Sequence, residues 1–234
     1  MKKIISFSLW GKAFRYLGGA LQNAELSKHY YPDWICRFYV GNTIDYGFLY
    51  ELETMDNVEI IEMDEPGDWR GMFWRFYPAS EEGVEAMISR DADSRPGFRE
   101  VESVNEWLNS NKSFHIIRDH EYHAWPILGG MWGVKKNKIS DIKTKISEYN
   151  TRDSYNTDQE FLKDIIYPII KDDCIIHDEF FEKKPFPASA GQRDKRYFIG
   201  QAYDGNGDIL NIPEYGVQNY IDHINKTEGL NFKK

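Results

Sequence analysis

Asp91 and Asp93, in the stretch Ser89-Arg90-Asp91-Ala92-Asp93-Ser94-Arg95, are two carboxylates one residue apart, with an arginine on either side. Side chains alternate along an extended chain, so both acids can aim at one point if the backbone stays extended. Two anions that close repel each other, and a positive partner is expected: either the neighbouring Arg90 and Arg95 or a bound metal ion. Paired carboxylates suit a hard divalent cation, and a cation held against phosphates neutralises charge on a leaving group. The simpler alternative is a surface turn in which Asp91 and Asp93 pair with Arg90, Arg95 or Arg99. The apolar run Val84-Glu85-Ala86-Met87-Ile88 just before them reads as a buried strand that delivers the acids to its end.

The elements around that strand are legible from periodicity. Lys3 to Leu9, Trp34 to Val40 and Val58 to Met63 read as strands, separated by helices at Leu17 to Leu26 and Phe48 to Met55. This β-α-β-α-β opening predicts an α/β fold with a mostly parallel central sheet flanked by helices, and a binding site beyond the carboxyl ends of the strands. A helix is expected over Gly71 to Tyr77, closing at Pro78, then a helix over Arg99 to Ser110 and strands at Phe114 to Ile117 and Met131 to Val134. A helix from Asp158 to about Ile170 and a strand at Cys174 to His177 complete the pattern. The C-terminal third, including Tyr197 to Gln201, has no clear order.

At 234 residues without a low-complexity linker, the chain reads as one domain. The start, Met1-Lys2-Lys3 followed by an apolar run, has no cleavage site before Gly11-Lys12 and reads as a first strand rather than a signal peptide. No apolar stretch approaches the roughly 18 residues of a membrane span, and a cytoplasmic protein is expected. A formal net charge of −9 argues against a nucleic-acid surface. Cys36 and Cys174, both in apolar surroundings, read as thiols in a reducing compartment.

Several further residue patterns carry both a functional and a structural reading. Gly129-Gly130 lets a substrate approach the backbone, or simply makes a tight turn. Trp125 and Trp132 offer flat apolar faces for a ligand, or pack in the core. Thr157 with Glu160 forms a capping box, in which Asp158 serves the helix dipole. Asp204-Gly205-Asn206-Gly207-Asp208 lacks the glycine and glutamate of a calcium loop and reads as a turn. His115, His120 and His123 lack the companions of a zinc site.

Five stretches in order, M-F-W-R-F (72 to 76), R-D-A-D-S-R (90 to 95), W-L-N-S-N-K-S-F-H-I-I-R-D-H (107 to 120), L-G-G-M-W-G (128 to 133) and D-Q-E-F-L (158 to 162), carry a resemblance. The chain resembles nucleotide-sugar-dependent glycosyltransferases of the GT-A fold, and more closely a group of glycosyltransferase-like proteins of large DNA viruses and bacterial glycan loci, over about residues 4 to 203. The resemblance implies a single GT-A (Rossmann-like) domain, a Mn²⁺ or Mg²⁺ ion, a nucleoside diphosphate sugar donor with UDP as the nucleotide, and a glycan acceptor.

By the same resemblance, Asp91 and Asp93 sit at the metal and donor diphosphate, Arg75 and Arg95 touch the donor, and His177 is a third metal ligand. Asp158, then Asp119, are the candidates for the transferred sugar or the acceptor. A metal-dependent nucleotidyltransferase or phosphohydrolase, and a non-catalytic nucleotide- or glycan-binding module, are the alternatives.

Overall fold

The computed structural model describes residues 1–149, 156–193 and 197–210. Seven strands, β1 (Lys2–Leu9), β2 (Trp34–Gly41), β3 (Val58–Met63), β4 (Val84–Ser89), β5 (Phe114–Arg118), β6 (Trp132–Lys135) and β7 (Cys174–Asp178), form one sheet in the order β3-β2-β1-β4-β6-β5-β7. All neighbouring pairs are parallel except those of β6, which runs antiparallel to β4 and β5. The fold is thus the expected α/β arrangement with a mostly parallel sheet, and the strand before β6 returns through the Gly129-Gly130 loop.

Alternation along β1 explains how the sheet is buried on both faces. Ile5, Phe7 and Leu9 face one core with Phe38, Val40 and Trp107, while Ile4 faces a second with Phe73, Phe76, Trp132 and Phe161. Phe7 stacks on Phe38 with ring centroids 4.8 Å apart, and Phe76 meets Trp132 edge-on at 5.4 Å. Trp132 is fully buried and Trp125 nearly so, which assigns both to packing rather than to a sugar platform.

The α-helices among the described residues are α1 (Phe14–Tyr30), α2 (Tyr46–Glu53), α3 (Phe98–Asn109), α4 (Ile142–Glu148), α5 (Thr157–Phe161) and α6 (Tyr167–Ile170). A run of small and polar residues in α1, Gly18, Gly19, Ala20, Asn23 and Ala24, is buried. It lets the backbone of α1 lie directly against the turn after β4: a Cβ at Gly19 would overlap the carbonyl oxygen of Ala92.

Three sequence expectations are corrected. The segment expected as a helix over 71–77 is a 3₁₀ helix, Trp69–Ser80, that runs through Pro78 instead of ending there. The helix expected from Asp158 to about Ile170 is split by a π-helical turn, Leu162–Ile166, between α5 and α6. Pro168 has no N–H to give and its ring crowds the preceding turn, so the register widens there. The capping box is not formed: Asn156 is the N-cap without a side-chain bond, and Thr157 Oγ1 has no hydrogen-bond partner among the described residues.

Asp204 to Asp208 forms the expected turn, with Asp204 Oδ1 accepting from the amides of Asn206 and Asp208 at 2.8 and 2.9 Å. Cys36 and Cys174 are free thiols. No helix among the described residues is long and apolar enough to cross a membrane.

Candidate active site

The order of the sheet reverses between β1 and β4, and a crevice opens beyond the carboxyl ends of strands at such a reversal. A cavity of about 710 Å³ lies there, lined by Ser8 and Leu9 at the end of β1 and by Asp91, Ala92 and Asp93 just after β4. Its walls also include Arg75, the Gly129-Gly130 loop and Asp158. Five of the residues singled out in the sequence (Arg75, Asp91, Asp93 and the two glycines) together with Asp158 are therefore brought into one place.

The acids do not remain extended. The chain turns at Ala92-Asp93, closed by the Ser94 amide and hydroxyl donating to the Asp91 carbonyl at 3.1 and 2.9 Å. Asn23 of α1 holds that turn from beneath, its Nδ2 donating to the carbonyls of Ala92 at 2.9 Å and Ser94 at 2.8 Å. Asp91 is half-exposed to the cavity and Asp93 is buried.

The positive partners are distant in sequence rather than adjacent. Arg75 is ion-paired with Asp91, and Arg15 with Asp93. Arg90 is instead buried against Glu100 at 2.9 Å. Arg99 pairs with Asp119 and Glu179. Arg95, expected at the donor, does not line the cavity. It donates to Gln22 Oε1 and to the carbonyls of Ala92, Ser94 and Asp204, bracing the turn from outside.

Arg75 also reaches across to Asp158, donating from Nη2 to Oδ2 at 2.7 Å, and its backbone amide is fixed to Ser8 Oγ of β1 at 3.0 Å. Burial alone would lower the Arg75 pKa, but Asp91 and Asp158 together raise it, so the guanidinium is a fixed charge. Burial pushes the Asp158 carboxyl up, opposed by Arg75. The Asp93 carboxyl is raised by burial first and by the nearby Asp91 charge second, with Arg15 opposing.

The glycine loop has no room for side chains. A Cβ at Gly129 would run into Asp158 Oδ2 and Arg75 Nη2, and one at Gly130 into the Asp91 carboxylate. Ser89 Oγ donates to the Gly129 carbonyl at 2.6 Å, locking the loop over the end of β4. The cradle is thus made of two hard carboxylates, each now holding a guanidinium cation, beside bare backbone. That donor set fits a divalent cation with two protein ligands and open positions for phosphate oxygens.

His177 does not complete that set. Its Nδ1 lies 2.8 Å from His115 Nε2 and its Nε2 lies 2.6 Å from Glu106 Oε2, and it does not line the cavity. Among the described residues no cluster of three or more His, Cys, Asp or Glu side chains is placed to hold a metal ion. Asp119 is also elsewhere: it is fully buried, bound by Arg99 and by the Ile199 amide at 3.1 Å. Asp119 follows β5 and His177 lies one residue before the end of β7, and each is held by its own partners, Asp119 by Arg99 and His177 by Glu106 and His115, rather than at the end of β4.

The sequence reading missed the loop after β1 and the start of α1, which supply Trp10, Lys12, Arg15 and Tyr16 to the cavity. One signal was present: α1 opens with a basic residue and no acid in its first turn, contrary to the preference of a helix dipole. His123, weighed in the sequence only as a zinc ligand, also belongs to the site. It lines the cavity, its Nδ1 accepts the Asp119 amide at 3.1 Å, and burial lowers its pKa to about 3, so it stands there neutral.

No family model matches this chain, and no curated protein matches it. Among solved structures it is similar to a glycosyltransferase involved in the glycosylation of the major capsid of PBCV-1, with 14% identity, a TM-score of 0.52, and coverage of 97% of this chain and 100% of that one. It is also similar to the mannosyltransferase of Pyrobaculum calidifontis in complex with GDP-Man and Mn²⁺, with 12% identity, a TM-score of 0.50, and coverage of 76% and 55%. A third similar structure is the 4-diphosphocytidyl-2C-methyl-D-erythritol synthase of Anaerococcus prevotii, with 8% identity, a TM-score of 0.52, and coverage of 76% and 86%. At these identities the likeness is one of fold: the chain has the GT-A-type fold found in glycosyltransferases, an architecture that a cytidylyl-sugar-alcohol synthase also resembles.

Proposed function

We propose that the protein is a metal-dependent glycosyltransferase that moves a sugar from a nucleoside diphosphate sugar to a hydroxyl of a glycan. The observation that carries this reading is the convergence, in one cavity at the β1/β4 reversal, of Asp91 and Asp93 with Arg75, Asp158 and a side-chain-free glycine loop. Asp91 and Asp93 would hold the divalent ion, which when bound supplies a Lewis acid that neutralises charge on the departing diphosphate. Arg75 orients both Asp91 and Asp158 and offsets part of their negative charge. Gly129 and Gly130 admit the donor close to the backbone.

Asp158 is the residue proposed to meet the transferred sugar or the acceptor hydroxyl. It lies across Arg75 from Asp91, and its Oδ1 accepts the Gln159 amide at 2.9 Å. Asp119, His177 and Arg95 are given no part in the reaction, because none of them lines the cavity. UDP is the nucleotide suggested by sequence resemblance, whereas the structurally similar Pyrobaculum enzyme is held with GDP-Man and Mn²⁺. Both nucleotides belong in the test.

A second reading, nucleotidyl transfer, is favoured by the fold likeness to the Anaerococcus synthase. Products separate the two: sugar transfer releases a nucleoside diphosphate, and nucleotidyl transfer releases pyrophosphate. The test is to incubate the protein with UDP- and GDP-sugars and Mn²⁺, and with nucleoside triphosphates and sugar phosphates, with and without EDTA. EDTA-sensitive release of UDP or GDP supports glycosyl transfer. Release of pyrophosphate alone would replace it by the second reading, and no turnover of any substrate would leave a binding module.

A further inference from the structure

The two carboxylates of the cavity already hold cations, and the two cations are held very differently. Arg75, on Asp91, is buried and tied at its other end to Asp158. Arg15, on Asp93, has a side chain that is 40% exposed. Beyond Asp93 its one ring contact among the described residues is Tyr16, at 5.4 Å, and its Nε has no hydrogen-bond partner among them.

The place of Arg15 in the chain is unfavourable for the helix itself. It stands in the first turn of α1, where a cation meets the positive end of the dipole, and Ala13 at the N-cap offers no side-chain acceptor to the first amides. Ala13, Arg15 and Tyr16 all line the cavity. An anion at that spot meets the positive end of α1 and the guanidinium together, which is the arrangement that binds phosphate.

We propose, on the reading of this cavity as a nucleoside diphosphate sugar site, that Arg15 is a displaceable internal cation. It occupies Asp93 while the cavity is free of nucleotide, and it moves to the diphosphate when a divalent ion takes Asp91 and Asp93. Metal binding alone must break the Arg15–Asp93 pair with no new anion for the guanidinium. Nucleotide supplies that anion, so Arg15 couples the two ligands beyond their direct contact with each other, and the coupling is reciprocal.

The experiment is calorimetric titration of Mn²⁺ alone, of UDP and GDP alone, and of each nucleotide in saturating Mn²⁺, on the full chain and on Arg15→Gln, with Arg15→Lys as the charge-retaining control and a thermal melt to verify folding. Arg15→Gln should bind Mn²⁺ alone about 1.5-fold to fivefold more tightly, as expected for loss of a competing, partly exposed ion pair. It should bind the nucleotide with Mn²⁺ more weakly, so that the coupling factor shrinks, while Arg15→Lys retains much of it. Unchanged or weaker Mn²⁺ binding by Arg15→Gln, in a protein whose parent binds both ligands, overturns this inference and leaves the proposed function standing. A parent protein that binds neither Mn²⁺ nor nucleotide overturns both.

Discussion

Arg75 and Asp158 meet at 2.7 Å with neither side chain more than 8% exposed, joining the 3₁₀ helix that precedes β4 to α5. The pair belongs to two segments that share no strand, and it joins them in the cavity wall beside the packing of Phe73 on Phe161, whose ring centroids are 5.4 Å apart. A guanidinium that bridges two carboxylates, one at the cavity mouth and one in its wall, also makes these acids a single electrostatic unit.

Removing one partner of that pair should be costly. Arg75→Met is expected to lower stability by about 3–5 kcal/mol, because it strands a buried carboxylate. Asp158→Asn should lower it less, since an amide still accepts from Arg75. Urea unfolding of both single variants and the double variant measures this. The double variant should be more stable than the sum of the singles implies, by about 0.5–3 kcal/mol; simple additivity would show that the two residues are not coupled.

The sheet was legible because its strands are short apolar runs set between clear turn signals. The observed β1 to β4 begin and end within about a residue of the periodicity, and the reversal that opens the cavity follows from their order. The partners of the acids were not legible. Sequence proximity pointed to Arg90 and Arg95, but the turn after β4 sends these side chains away from the cavity, Arg90 into the interior against Glu100 and Arg95 to Gln22. Arg15 and Arg75 reach the acids only through the packing of α1 and the 3₁₀ helix against β1. His177 and Asp119 misled for a related reason: both lie near the carboxyl ends of strands, as a site residue does, but on the far side of the antiparallel β6.

Gly130→Ala tests the close approach at the loop. Its methyl group meets the Asp91 carboxylate, which is half-exposed and can swing aside. The fold should survive with a small change in melting temperature, whereas Mn²⁺-dependent nucleotide binding should weaken by about tenfold or more as the carboxylate leaves its position. Gly129→Ala meets Asp158 and the buried Arg75, which cannot move as freely, and should lose stability as well. Binding retained in both variants would dismiss the loop as a simple turn.

Asn23→Ala removes the amide that supports the D-x-D turn and leaves buried carbonyls of Ala92 and Ser94 without that donor. A loss of about 1–3 kcal/mol is expected. Because the turn carries Asp93, Mn²⁺ affinity should fall with stability. Thermal melts with and without Mn²⁺ read both effects, and a destabilised protein with an undiminished Mn²⁺ shift would separate the turn from the cation site.

Stability should fall on mild acidification. Burial is the leading cause that lowers the pKa of His115, His120, His123 and His177 from the ordinary 6.5, to about 4 for His120 and about 3 for His123. A depressed folded pKa gives stability that is complete above 6.5 and is lost as pH falls toward the folded value. His123 alone accounts for roughly 2 kcal/mol of loss by pH 5. Asp93, Asp119 and Asp158, raised from 3.8 chiefly by burial, act with the opposite sign: their contribution is present below 3.8 and lost as pH rises through their raised values. The urea midpoint should be flat above pH 7 and clearly lower at pH 5. An equal midpoint at both would contradict neutral buried histidines.

The most direct measurement of the whole account is Mn²⁺-dependent binding of UDP and GDP to the parent protein and to Asp91→Asn and Asp93→Asn, by calorimetry. At least one nucleotide should bind the parent in an EDTA-reversible way, and each substitution should weaken this by about a hundredfold while the melting temperature without ligand holds within a few degrees. Nucleotide binding that is the same in the parent and both variants, or indifferent to Mn²⁺, would contradict it.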